Sequence, residues 1–160
     1  LNPAAPASRI SLRAKAEAVP ALSEALGIAL PGKPKTSVTS GLRSALWLGP
    51  DEWLVIDQSE SDLMALLSGV SGLFSATDVS HRNVAIIVSG PGAEAALNAG
   101  CPQYLSTNVF PVGACSRTIF GKAEIVLLRV ADDTFRVECW RSFAEYVGGL
   151  LQEASEDVAV

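Results

Sequence analysis

The chain of 160 residues has the length of one domain, and its 49% hydrophobic and 18% charged composition is typical of a globular protein rather than a disordered one. Its net charge of −5, with twelve scattered basic residues, argues against nucleic-acid binding, because phosphate contacts need clustered Lys and Arg. No apolar run reaches the roughly 20 residues that span a bilayer, and the N-terminus lacks a signal pattern, so we expect a cytoplasmic protein with no membrane partner.

The first half of the chain alternates short apolar segments with turn sequences. Its predicted elements are, in order, an irregular arm (1–8), a strand (9–14), a helix that ends at Gly27 (19–26), a loop (32–37) and a hairpin (42–48 with 53–56). Ser59 is then predicted to cap a helix that runs to Leu67, because a Ser side chain can accept a hydrogen bond from a first-turn amide.

The second half repeats this order. Its predicted elements are a strand (82–88), a helix (91–99), a segment punctuated by Pro and Gly (101–113), a hairpin (124–130 with 135–139) and a helix (142–153). The two hairpins superimpose at one offset, because Trp53 and Val55 lie 82 residues before Phe135 and Val137. We therefore predict one α+β domain at 9–160 that contains two strand-helix-strand-strand-helix repeats, at about 9–70 and 78–153, with antiparallel sheet and helices on its faces.

The densest polar group is formed by Asp78, Ser80, His81 and Arg82. Because His81 is the only histidine, a multi-histidine metal site is excluded. Side chains alternate along an extended segment, so His81 would face away from Ser80 and Arg82, which argues against a catalytic triad. We expect Asp78 or Ser80 to cap backbone amides, with a role facing a ligand or a partner as the alternative.

Two further groups have a mainly structural interpretation. The Ser-Gly-Pro-Gly sequence at 89–92 is predicted to be a turn with Pro at a helix N-terminus, since it does not match either glycine-rich phosphate fingerprint. Cys101, Cys115 and Cys139 are odd in number and set among apolar neighbours, so we predict three buried thiols rather than disulfides or a zinc site.

Several segments of the sequence resemble known families. The stretch from Asp78 to Gly92 resembles the corresponding segment of the aminomethyltransferase (glycine-cleavage T-protein) superfamily, whose domains bind folate. The segments at 110–118, 121–127 and 135–143 resemble the gamma-subunit family of bacterial heterotetrameric sarcosine oxidases. The resemblance extends from about Arg9 to Glu153 and implies a folate-binding-domain-like fold.

The resemblance also implies a function. The chain would be a non-catalytic accessory subunit of a complex that oxidatively demethylates sarcosine to glycine. Its partners would be the alpha, beta and delta subunits, with alpha in direct contact, and the FAD, FMN, NAD and tetrahydrofolate of the complex would lie on those subunits. We expect the isolated chain to be inactive, since it contains no Gly-x-Gly-x-x-Gly dinucleotide fingerprint. The alternatives are a free-standing folate-binding or one-carbon-transfer module and a scaffold that dimerises through a sheet edge.

The acidic motif of the superfamily is altered in this chain. Lys122-Ala123-Glu124 lies where the family has an Ile-Asp-Asp type motif, so one acid is replaced by Ala123 and the other by Glu124. This argues against one-carbon chemistry, because a carboxylate must lie within hydrogen-bond reach of the proton that it handles. We predict no catalytic residue and no metal ligand, and the weak candidates for cofactor contact are Asp78, Ser80, Arg82 and Glu124.

A partner interface is predicted instead. Aromatic and Arg side chains are enriched in buried interfaces, and the candidates are Trp140, Arg141, His81, Arg117 and Lys122. The helical spacing of Phe143 and Tyr146 favours the core for these two side chains, with a place in the partner interface as the alternative.

Overall fold

The computed structural model describes residues 1–158, and the chain divides into two compact units. One unit is formed by residues 5–81, and the other by the first four residues together with the chain from Arg82 onward. No helix in the described range is long and apolar enough to cross a membrane.

The strands and helices of the chain up to residue 81 are β1 (Asn2–Pro3), β2 (Ser8–Ala14), α1 (Val19–Leu26), β3 (Ser37–Ser40), β4 (Arg43–Gly49), β5 (Glu52–Asp57), α2 (Leu63–Leu67) and β6 (Phe74–Asp78). Those that follow are β7 (Asn83–Ser89), α3 (Ala93–Asn98), β8 (Cys115–Phe120), β9 (Ala123–Ala131), β10 (Thr134–Trp140), a 3₁₀ turn (Arg141–Phe143) and α4 (Ala144–Val158).

The unit at 5–81 is an antiparallel sheet of order β3-β4-β5-β2-β6 covered on one face by α1 and α2. Leu22 and Leu26 of α1 pack with Leu12, Val55 and other buried residues. Helix α1 ends at Gly27, whose φ of 64° lies in the left-handed region that favours glycine, as the sequence predicts.

The other unit is an antiparallel sheet of order β8-β9-β10-β7-β1. Its core contains Leu97 of α3 and Val147 and Leu151 of α4, which pack with Phe135 and Val137 of β10. The strand order matches that of the first unit when β8, β9, β10, β7 and β1 replace β3, β4, β5, β2 and β6.

The register of the two hairpins confirms the predicted duplication. Trp47 is paired with Trp53 in the first hairpin, and Arg129 is paired with Phe135 in the second, so both pairs are shifted by the same 82 residues. Trp53 and Phe135 are both buried in the core of their unit.

The structure differs from the sequence prediction mainly at the edges of the sheets. The four strands at these edges, β1, β3, β6 and β8, were not predicted, and β1 lies within the arm expected to be irregular. An edge strand pairs on one side only and needs no strong apolar pattern. The predicted cap at Ser59 is also wrong, because α2 begins later and the Asp62 carboxylate accepts the Ala65 amide at 3.0 Å.

Candidate functional site

The polar segment after β6 holds backbone groups in place. The Asp78 carboxylate accepts a hydrogen bond from the Ser80 amide at 2.9 Å, and the Ser80 hydroxyl accepts one from the Arg9 amide at 2.8 Å. Hydrogen bonding by the Ser80 hydroxyl and then by its amide lowers the pKa of Asp78, and the charge of His81 adds a weaker effect. This is the capping arrangement that the sequence predicts.

Asp78, Ser80 and His81 also line an open cavity of about 290 Å³. Arg9, Asp62 and Met64 are among the other residues around it. The Ser80 hydroxyl accepts a hydrogen bond from the Arg9 amide at 2.8 Å, and its proton is shared between the Arg9 carbonyl, at 3.3 Å, and the Asp78 carboxylate. These hydrogen bonds tie the segment at 78–80 to the backbone of β2.

Arg82 belongs to a different environment from the other three polar residues. Its Nε donates to the Asn83 side chain at 3.1 Å, and its guanidinium carbon lies 5.0 Å from the centroid of the Trp140 ring. The predicted polar group thus separates into a capping cluster and an arginine that stacks on an aromatic ring.

Trp140 is part of an exposed surface that we call the aromatic patch, formed by Arg82, Trp140, Phe143 and Tyr146. The Trp140 side chain is 43% exposed, Phe143 and Tyr146 are similarly exposed, and the Trp140 and Phe143 ring centroids are 6.4 Å apart. The prediction that Phe143 and Tyr146 face the core is wrong. Helical spacing does not by itself choose a face, and the core-facing stripe of α4 is instead formed by Val147, Leu151 and Ala154.

Basic residues adjoin the aromatic patch. The Arg141 amide donates to the Arg82 carbonyl at 2.7 Å, and the Lys122 amide donates to the Tyr146 hydroxyl at 3.1 Å. Both residues are exposed, as is the acidic Glu145 at the start of α4. Three of the predicted interface residues, Trp140, Arg141 and Lys122, are therefore brought to one region.

The remaining two predicted interface residues lie elsewhere. Arg117 is exposed on the edge strand β8, where it is paired with Val126 of β9. His81 is exposed at the cavity described above.

The residues of the altered acidic motif differ in exposure. Ala123 is buried in the core, whereas Glu124 is exposed on β9 opposite Ile119 of the edge strand. Glu124 is not among the residues around the cavity near His81 or around another cavity, of about 280 Å³, at the turn before α3. The carboxylate therefore lies at an exposed position of strand β9, next to the edge of the sheet.

The remaining predictions for the second half of the chain concern a turn and the three cysteines. Residues 89–92 form a turn in which Gly90 has a φ of 113° and its carbonyl accepts the Ala93 amide at 2.9 Å. All three cysteines are buried, as predicted, and none of them forms a disulfide in the described part of the chain. Burial raises the pKa of Cys139, and the neighbouring Glu138 charge raises it further.

Comparisons with known proteins agree with this architecture. Curated sarcosine oxidase gamma subunits from Corynebacterium sp. strain P-1 and from Arthrobacter sp. are 30% and 31% identical, each over 87% of this chain and over 72% and 70% of their own lengths. A chain in the structure of heterotetrameric sarcosine oxidase from Corynebacterium sp. U-96, in complex with pyrrole 2-carboxylate, has a TM-score of 0.89 and 25% identity, over 99% of this chain and 84% of that one.

A more distant structure has the same fold. Aminomethyltransferase T of the glycine cleavage system from Bartonella henselae has a TM-score of 0.70 at 17% identity, over 93% of this chain and 44% of that one. The model of the sarcosine oxidase, gamma subunit family matches residues 13–157. This match covers most of the sequence, so the chain belongs to the sarcosine oxidase gamma subunit family.

Proposed function

We propose that this chain is the accessory gamma subunit of a heterotetrameric sarcosine oxidase, a complex that oxidatively demethylates sarcosine to glycine. The observation that carries the proposal is the family match over residues 13–157. The structural similarity to a chain of a heterotetrameric sarcosine oxidase, over 99% of this chain, supports it.

The chemistry of the complex is assigned to other subunits, which would hold the FAD, FMN, NAD and tetrahydrofolate. Two features of this chain support that assignment. The Ser80 hydroxyl is hydrogen-bonded to the backbone of Arg9 and to the Asp78 carboxylate, and the Glu124 carboxylate is exposed on strand β9. The contribution of this chain is then structural, through contacts that stabilise the assembled enzyme.

The aromatic patch is the proposed contact with the alpha subunit. Trp, Tyr and Arg side chains are the types that most often dominate binding energy at interfaces. Trp140 and Phe143 are prearranged by ring contact, and Arg82 is held by stacking on Trp140, so little side-chain freedom is lost on binding.

Co-expression tests the proposal. A tagged form of this chain is produced with the alpha, beta and delta subunits of the same source, and alpha alone, beta alone and delta alone are tested in parallel. We expect the tagged chain to recover all three partners, and alpha alone to be retained. Equal yield and sarcosine turnover of the complex when this chain is omitted would overturn the accessory role, and retention of beta or delta without alpha would overturn the assigned contact.

The isolated chain provides the second arm of the experiment. We expect it to be colourless, inactive toward sarcosine and without measurable calorimetric binding of tetrahydrofolate. Binding in the low micromolar range, about −8 kcal/mol, that is lost in Glu124→Ala would favour the one-carbon module instead. Gln152→Ala, at an exposed position on α4, is the control for a nonspecific effect of surface substitution.

A further inference from the structure

The longest stretch of the chain without a charged residue runs from Ala95 to Ser116. It contains 22 residues, whereas charged residues make up 18% of the whole chain. Its central part, residues 99–114, joins α3 to β8 and contains neither an α-helix nor a strand of the sheet. We call residues 99–114 the connector.

Buried side chains fix the connector to the core of its unit. Cys101, Leu105 and Phe110 are buried and belong to the same core as Phe135 of β10. The amide of Phe110 also donates to the Ser106 carbonyl at 2.8 Å, which closes a turn within the connector. The connector is therefore a packed segment rather than a solvated loop.

Arg129 of β9 is a second attachment for the connector. Its side chain is fully buried, donates to the Leu105 carbonyl and forms an ion pair with Glu94 of α3 at 2.9 Å. Its backbone carbonyl accepts the Gly113 amide at 2.8 Å. One residue thus binds the middle of the connector, its C-terminal end and the helix that precedes it.

The fixed connector exposes large apolar side chains. Tyr104 is 69% exposed, Val109 is 59% exposed and Val112 is 52% exposed. Exposed apolar side chains on a segment without charges have the composition of an interface core, which is depleted of charged residues. Because the backbone is held by buried groups, binding would require little ordering of the connector.

We propose that the connector is a second docking surface, and that it binds an uncharged, apolar protein surface on another subunit of the complex. The inference rests on the proposed accessory role. The absence of charge selects the occupant, because nucleic acids and lipid headgroups are bound mainly through charged side chains. It also distinguishes the connector from the aromatic patch, which contains Arg82 and has Arg141 and Lys122 beside it.

Substitutions by Asp at equally exposed positions test the inference. Val109→Asp and Val112→Asp place a charge on the connector, and Leu42→Asp makes the same kind of change at a position that is 58% exposed in the turn before β4. Each variant is co-expressed in competition with the wild-type chain carrying a different tag, and the ratio of the two in the purified complex is measured. We expect on the order of tenfold lower incorporation for the connector variants, because a buried unpaired charge opposes binding, and unchanged incorporation for Leu42→Asp.

Arg129→Met tests whether the attachment of the connector through the Arg129 side chain contributes to incorporation into the complex. Methionine retains much of the buried volume and removes the side-chain hydrogen bond to the Leu105 carbonyl and the ion pair with Glu94, whereas the backbone bond to Gly113 is kept. We expect reduced incorporation of this variant, and hydrogen exchange of isolated chains should show faster exchange at 105–113 than in the wild type. Unchanged exchange there would refute Arg129 as the positioning residue.

The outcomes separate this inference from the accessory role. If the wild-type chain enters the complex and both connector variants do so as efficiently as Leu42→Asp, the docking surface is refuted and the accessory role stands. If the wild-type chain does not enter the complex, both proposals fail. A dimer of the isolated chain that Val109→Asp abolishes would identify a second copy as the occupant and would overturn the inference.

Discussion

Replacing Trp140 with alanine separates docking by the aromatic patch from its contribution to folding. In the isolated chain the Trp140 ring lies 5.0 Å from the Arg82 guanidinium carbon and has its centroid 6.4 Å from that of Phe143. An exposed cation–π contact and an aromatic pair each contribute about 1 kcal/mol. Because the residue is already 43% exposed, we expect Trp140→Ala to lower the free energy of unfolding by roughly 1–2 kcal/mol.

The effect on assembly should be larger. Truncation of a tryptophan at the centre of an interface costs about 2 kcal/mol or more, which corresponds to roughly 30-fold weaker association. Competition between differently tagged wild-type and Trp140→Ala chains during co-expression measures this ratio directly, and thermal unfolding of the two isolated chains measures stability.

A second tryptophan provides the control. Trp47 on β4 is half-buried and packs against the core of its own unit, residues 5–81. Trp47→Ala should therefore also destabilise the isolated chain. If the aromatic patch binds a partner, Trp140→Ala should be depleted from the complex far more than Trp47→Ala. Equal depletion of the two variants would show that loss of folding stability explains the result, and the reasoning would be refuted.

Three further predictions concern individual side chains. Burial raises the pKa of Asp57, but hydrogen bonds from Ser59 and Arg43 outweigh it and hold the pKa below its usual value. The stability that the ionised Asp57 contributes is therefore present at neutral pH and lost as pH falls through the lowered pKa. Asp57→Asn should lower the free energy of unfolding at pH 7 by about 3 kcal/mol. It should also weaken the dependence of unfolding on acid pH, as measured by circular dichroism. His81→Ala should leave turnover of the assembled complex nearly unchanged, whereas a loss of about 100-fold would indicate a general acid or base. Burial raises the pKa of Cys139, so iodoacetamide should label it more slowly in the native chain than in the unfolded chain, as measured by mass spectrometry.

The sequence predicts the interior of each sheet better than its edges. The central hairpins have continuous apolar runs, and the pairs Trp47 with Trp53 and Arg129 with Phe135 show that even their register repeats. Edge strands such as Ser37–Ser40 and Cys115–Phe120 pair on one side only. Ser37–Ser40 has no buried residue, and Cys115–Phe120 is buried only at its two ends. Neither strand has a strong apolar pattern, so the sequence alone does not identify them.

The candidate surface was predicted only in part for a related reason. Trp140 and Arg141 could be proposed from residue type, and the structure places them beside Phe143 and Tyr146. The helical period applies to both faces of α4, and only the packing of Val147 and Leu151 against the sheet determines which face is buried. The sequence did contain one further signal, the uncharged run at 95–116, whose exposed side chains became evident only from the structure.

The two repeats have diverged at the position that controls the connector. Trp47 and Arg129 are equivalent by the offset of 82 residues and have equivalent strand partners, yet Trp47 packs on an apolar core whereas Arg129 bonds to the connector and to α3. The corresponding segment of the first unit, between α1 and β3, carries Lys33 and Lys35. A fold that needed the connector only to join two elements would tolerate charges in both repeats, because solvent-exposed lysines cost little. In the second repeat alone, a buried arginine holds the connector in place and the connector carries no charge. A docking surface for an apolar partner needs both properties, and the Asp substitutions at Val109 and Val112 test the second of them directly.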